Sequence, residues 1–260
     1  MKTMKWLVQR EFWEHKGAIF WAPIVVAGAM VLFIGGSIMY AISMGKFGGQ
    51  VTINGRDANM TMAFNSLSAQ DQQMFVNAMS SGYLAAAAPL YIMLSVIVFF
   101  YCLSAMFEER RDRSILFWKS LPVSDQQTVL SKLAIALCVA PLITIAVATF
   151  ASVLILLVTC TALAFGGVNL FGAVLSSPQV YLAPFQILGL LPVYALWALP
   201  TVGWLLMVSA WAKSKVFLWA VGTPVIAIII VKWAEKLLGM GMNADWFIAN
   251  VVARGLLGLL

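Results

Sequence analysis

At 260 residues, 62% hydrophobic and only 10% charged, the chain lies far outside the balance of a water-soluble domain, where charged residues make up roughly a quarter. The length suits one bundle of five or six helices, each crossing the hydrocarbon with about 20 apolar residues, so the fold class is all-α, a polytopic membrane helix bundle in a single domain. The net charge of +6 forms no continuous basic face; cytoplasmic loops that collect Lys and Arg give the same total, and nucleic acid is not indicated as a partner.

The first segment, residues 1–17, places Trp6, Phe12 and Trp13 among Lys5, Arg10, Glu11, Glu14 and Lys16, the composition of a helix held at headgroup level. The run from Ala18 to Met44 follows without a charge. It is too long for the core of a signal peptide and lacks a small-residue cleavage site, so it is read as the first span. The loop 45–82 is polar. In it Val51 and Ile53 alternate before an Asn54-Gly55 turn, a hairpin pattern, and Ser68 with Asp71 marks a helix start. A lid over the outer mouth is a simpler reading of this loop than a specific binding site.

A second span covers 83–107. From Leu133 to Ala212 no residue is charged, a stretch several times longer than one crossing of a bilayer about 30 Å thick. It breaks at Gly166-Gly167-Val168-Asn169 and at Ser176-Ser177-Pro178, leaving spans at 133–165 and 183–212. A fifth span runs from Val216 to about Val231, or 216–237 when the interfacial Lys232, Trp233 and Lys236 are included. Residues 238–260 read as a partial helix around Trp246 to Leu260, where a further crossing would otherwise stand. With the N-terminus inside, eleven of the sixteen Lys and Arg fall on the cytoplasmic side, which sets the orientation. Cys102, Cys138 and Cys160 lie in apolar stretches without CxxC spacing and read as packing residues, with no metal site indicated. Pro89, Pro141, Pro192, Pro200 and Pro224 fall in or near spans, as kinks of the bundle or as gating bends.

With the fifth span ended at Val231, no span contains Asp, Glu, Lys, Arg or His, so ion coupling and intramembrane hydrolysis lack the groups they need at membrane depth. His15 reads as an interfacial polar residue and no catalytic residue is assigned. The chain has no GxxxxGK[ST] phosphate loop. It is read as a non-enzyme binding no cofactor of its own, and any transport it performs must draw energy from a separate subunit that grips a cytoplasmic surface.

The loop 108–132 is the segment long enough to be gripped. A collar of both signs, Glu108, Glu109, Arg110, Arg111, Asp112 and Arg113, precedes Ser114, Ile115, Leu116, Phe117, Trp118, Lys119, Ser120 and Leu121, a short apolar helix that Pro122 stops. Ser124 with Gln127 then caps the helix leading into the third span. Such a knob docks in a partner's groove; its aromatics suit a helix lying on the headgroups equally well.

This collar, its small residue and the Leu-Pro-Val-Ser that follows (Leu121 to Ser124) resemble the corresponding loop of type-2 ATP-binding-cassette (ABC) permeases. The amphipathic N-terminal helix, the outer loop and the turn at Lys213 to Lys215 agree in layout. The resemblance implies a homodimeric or heterodimeric permease in a bacterial inner membrane, working as an exporter. Two cytoplasmic ATPase subunits, carrying the ATP and Mg, would dock on Glu108 to Ser114 and on Ile115, Leu116, Phe117, Trp118 and Leu121 as the coupling helix. Members of that family usually have six spans, where five are visible here. Polar and aromatic groups of the first two spans, Ser37, Tyr40, Ser43, Tyr91, Ser95 and Tyr101, are expected to line a path for a hydrophobic or amphiphilic cargo, although small residues also serve helix packing. The alternative is a membrane anchor or regulatory subunit that docks a cytoplasmic partner and transports nothing.

Overall fold

The computed structural model describes residues 2–44, 51–53, 56–58, 60–112, 124–238, 244–253 and 258–259. Among them five helical runs are long and apolar enough to cross a membrane: Gly17–Ser43, Ala69–Arg111, Asp125–Phe165, Pro178–Trp211 and Val216–Leu237. The chain is a multi-pass helical membrane protein.

Helix α1 (Lys2–Glu14) precedes α2 (Ala22–Ser43), which is entered through a π turn at Gly17–Trp21. The segment 45–82 holds the two-stranded antiparallel hairpin that the Asn54-Gly55 turn predicts, β1 (Val51–Ile53) on β2 (Arg56–Ala58), with Ile53 opposite Arg56. Next come α3 (Met60–Asn65), α4 (Ala69–Gly82), a 3-10 turn at Tyr83–Ala87 and α5 (Ala88–Arg111). Helix α6 (Asp125–Ala134) passes through a π turn at Ile135–Val139 into α7 (Ala140–Phe165). Then follow α8 (Phe171–Leu175), α9 (Pro178–Trp211), α10 (Val216–Leu238) and α11 (Ala244–Phe247), the last continuing as a π turn to Ala253.

The caps follow from the sequence. The Ser68 hydroxyl accepts from the Asp71 amide at the start of α4, and the Ser124 hydroxyl accepts from the Gln127 amide at the start of α6, each satisfying an otherwise orphan donor. Three irregular turns each stand just before a proline. Pro23, Pro89 and Pro141 follow the π turn at 17–21, the 3-10 turn at 83–87 and the π turn at 135–139. Proline lacks an N–H and its ring clashes with the carbonyl four residues back, so the preceding turn changes pitch and the helix resumes.

Two boundaries differ from the sequence reading. The fourth span begins at Pro178 rather than 183, because proline at the first helical position loses no hydrogen bond and presets φ. The second half of the loop 45–82 is helix α4, which runs through the 3-10 turn into the second span.

Contacts divide the chain into two units. The first comprises 1–19, 92–142 and 190–260. Its buried residues include Leu7, Val98, Cys102, Leu103, Ile135, Ala136, Val202, Leu205 and Ala220. The second comprises 20–91 and 143–189, and its core gathers Tyr83, Leu84, Leu156, Cys160, Leu163, Val168, Leu170, Val174, Val180 and Ala183. In this second unit α7 ends as a Schellman motif. Val168 N–H reaches Leu163 O at 2.9 Å and Gly167 N–H reaches Ala164 O at 3.0 Å, with Gly167 at φ +88°. The side chain of Thr61 fills the space that a Cβ on Gly167 would need, 3.0 Å away.

Candidate functional site

The strongest concentration of chemistry lies within the first unit, where α1 meets the two ends of the loop joining the second and third spans. Helix α1 buries Leu7 and, one turn later on the same face, Glu11, which is 0% exposed. Lys132, at the end of α6, is 1% exposed and reaches Glu11 Oε1 at 2.9 Å and Glu109 Oε1 at 3.0 Å. The Arg10 guanidinium completes the set, 2.8 Å from Glu11 Oε1 and 3.1 Å from Glu109 Oε1. Two cations thus face two carboxylates at the buried centre, and at its edge the Arg10 Nε lies 3.5 Å from Oε1 of the half-exposed Glu14. Tyr101 on α5 donates its hydroxyl to Glu11 Oε2 at 3.2 Å, and the His15 ring stands edge-on to Tyr101 at 4.8 Å.

Burial pushes the Glu11 carboxyl up, and the adjacent Lys132 and Arg10 more than reverse this, holding it below its ordinary value of 4.5. Taking these ions out of water costs several kcal/mol per ion, and only close, fully hydrogen-bonded geometry offsets it. Such a cluster is a poor source of net stability and a strong source of registry, since each member is tolerable only with the others in place. Glu11, Glu14 and His15 also bring ligand-type atoms within 4.8 Å of one another, but both Glu11 oxygens are already taken by Lys132, Arg10 and Tyr101.

The same end of α5 is tied to the end of α9. Arg110 donates to Ser209 O at 2.8 Å and to Ala212 O at 2.6 Å, a cation on the last carbonyls of a helix, where the dipole favours it. The Ser209 hydroxyl donates to Leu103 O and accepts from the Met106 and Phe107 amides. Beyond these ties the Lys213 to Lys215 turn leads into α10, with Trp211 and Trp219 edge-to-face at 5.1 Å and Trp204 bonded to Ala220 O.

Of the collar residues, Glu108, Arg111 and Asp112 are exposed, the last two as an ion pair at 3.6 Å. Glu109 and Arg110 turn inward and are engaged as described. Arg113, Ser114, Ile115, Leu116, Phe117, Trp118 and Leu121 lie outside the described residues. Of the residues expected to line a path, Ser37, Tyr40 and Ser43 are exposed on α2, and the two serine hydroxyls donate to backbone carbonyls one turn back. Ser95 is buried and donates to Ile92 O. Tyr91 has a buried hydroxyl with no partner among the described residues, and Tyr101 belongs to the ion cluster.

Sequence reasoning missed Arg10, Glu11 and Lys132 as site residues. Arg10 and Glu11 read as headgroup anchors and Lys132 as the end of the loop 108–132, because the ion pair joins positions 121 apart in the chain. The available signal was the placement of Glu11 on the Leu7 face of α1 rather than on the face of Trp6 and Trp13, which are 68% and 59% exposed.

No protein-family model, curated protein or solved structure matches the chain. The class defined by the fold is therefore a multi-pass helical membrane protein, an architecture compatible with a transporter subunit.

Proposed function

We propose that the chain is the transmembrane permease subunit of an ABC exporter in a bacterial cytoplasmic membrane. Its N-terminus is cytoplasmic, it pairs with a second permease copy, and two separate ATPase subunits drive it. The cargo is hydrophobic or amphiphilic. The observation that carries this reading is Lys132, which bridges Glu11 of α1 and Glu109 of α5 directly at the roots of the loop that resembles an ATPase-docking segment. A push on that loop would reach α5, α6 and α1 as one body, and through Arg110 the end of α9. A buried charged joint that holds these segments in register is what a force-transmitting base requires. In this arrangement Glu108, Arg111 and Asp112 remain available to a partner, with the segment 113–121, while Glu109 and Arg110 hold the lever.

The test is isolation of the tagged full chain from its native membranes. An ABC ATPase is expected to co-purify, and the triple change Arg111→Glu, Asp112→Lys, Trp118→Ala is expected to release it while Lys232→Gln does not. Recovery of no ATPase, or an ATPase retained by the triple variant, would sink the assignment.

A further inference from the structure

The second unit contains a cleft of about 580 Å³ between one face of α4 and the α8 to α9 segment, within the usual size of small-molecule sites. Its walls are fixed. Ser177 bonds Ser80 across it at 3.1 Å, Tyr83 donates to Val180 O at 2.8 Å, and the Gln72 amide anchors on Phe64 O at 3.1 Å. Gln73 and Asn77 both line the cleft, and neither side-chain amide hydrogen-bonds another described residue. Phe64, Val76, Leu170 and Ala173 supply apolar wall, and no Asp, Glu, Lys or Arg lines the cleft among the described residues.

The spacing of the two amides selects a ligand. Four residues apart, they share a helix face and stand about 6 Å apart along the axis. Alternate residues of an extended peptide repeat at about 6.7 Å on one side of the strand. Two carboxamides at this interval each meet one N–H or C=O of every second peptide unit, and the side chains between fall against the apolar wall. A charged ligand would find no counter-charge among the described lining residues.

We propose that this cleft binds a short, extended, uncharged peptide segment. As a statement of substrate class this rests on the exporter reading. It would give the loop 45–82 a role beyond that of a lid. Binding is measured by calorimetry on the full chain in nanodiscs, without any ATPase, using blocked acetyl-Leu-Ala-Leu-Ala-amide and subtracting empty nanodiscs. Saturable binding is expected, weakened about ten-fold or more by Gln73→Leu with Asn77→Leu, as the loss of two hydrogen-bonding groups implies. The near-isosteric pair Gln73→Glu with Asn77→Asp is expected to weaken it likewise, which separates recognition from a packing defect. Acetyl-Lys-Ala-Lys-Ala-amide is expected to bind at least ten-fold more weakly. Equal binding to wild type and both variants, no saturable signal above empty nanodiscs, or preference for neutral maltotriose over the peptide would overturn the proposal. Peptide binding in a chain that recovers no ATPase would leave the cleft assigned and remove the exporter, so the two failures are distinguishable.

Discussion

Lys132 is the residue whose removal should be felt most. It sits 1% exposed between Glu11 and Glu109, and deleting its charge leaves a buried carboxylate uncompensated. Lys132→Met should therefore cost about 3 to 5 kcal/mol of stability, read as a shift in the unfolding midpoint of the purified protein. Adding Glu11→Gln leaves Arg10 paired with Glu109, and the double variant should recover most of the loss; if it is no more stable than Lys132→Met, the cluster does not act as a charge-balanced unit. The same geometry sets a pH dependence. The folded Glu11 carboxyl is held below its ordinary 4.5, so its contribution is complete above that value and is lost as pH falls through the lower folded pKa. Thermal stability should stay level from pH 7 to about pH 5 and fall below about 4.5, and Glu11→Gln should flatten that acid limb. Arg10, Glu11 and Lys132 were illegible as site residues in the sequence because charge at a span's edge has a ready local explanation, headgroup anchoring. Nothing local distinguishes a solvated Glu11 from one facing Lys132.

At the scale of elements the sequence is far more informative, because turns and caps are decided within a few residues. The Ser68 and Ser124 caps, the Gly166 to Asn169 break and the Asn54-Gly55 hairpin were all legible, each resting on one side chain or one backbone preference. Boundaries next to prolines were less so. Pro178 reads as part of a loop, yet proline is favoured in the first turn of a helix, and α9 starts there. Gly167 tests how strictly such a break is specified. At φ +88° any Cβ is strained by about 1 to 2 kcal/mol, and here it would also meet Thr61 at 3.0 Å. Gly167→Ala should destabilise by at least about 1 kcal/mol, and Thr61→Ser, which removes the Cγ2 in the way, should return part of it. An alanine variant as stable as the parent would mean that the turn relaxes to another conformation.

For the whole molecule the consequence concerns sidedness. Arg10 and Glu11 bond Glu109 and Lys132 directly, and Arg110 bonds Ala212. The N-terminal helix, both ends of the loop between the second and third spans, and the turn between the fourth and fifth therefore share one side of the bilayer, independently of any charge rule. Under the topology read from the sequence the same side collects eleven of the sixteen Lys and Arg, and the positive-inside preference is the ground on which we propose that it faces the cytoplasm. Contact geometry thus supplies the shared side, and charge asymmetry supports the proposal of which side it is. With Cys102, Cys138 and Cys160 replaced by serine, single cysteines at Thr3, Ser124 and Ser214 should react with a membrane-impermeant maleimide only in inverted vesicles. A cysteine at Gln73, in the segment between the first two spans, should react only in right-side-out cells. If Thr3 and Ser124 labelled from opposite sides, the ion cluster could not form in the membrane, and the lever on which the exporter reading depends would be lost. If all three labelled with Gln73 reversed, the cluster would survive, and only the assignment of its side to the cytoplasm would fall.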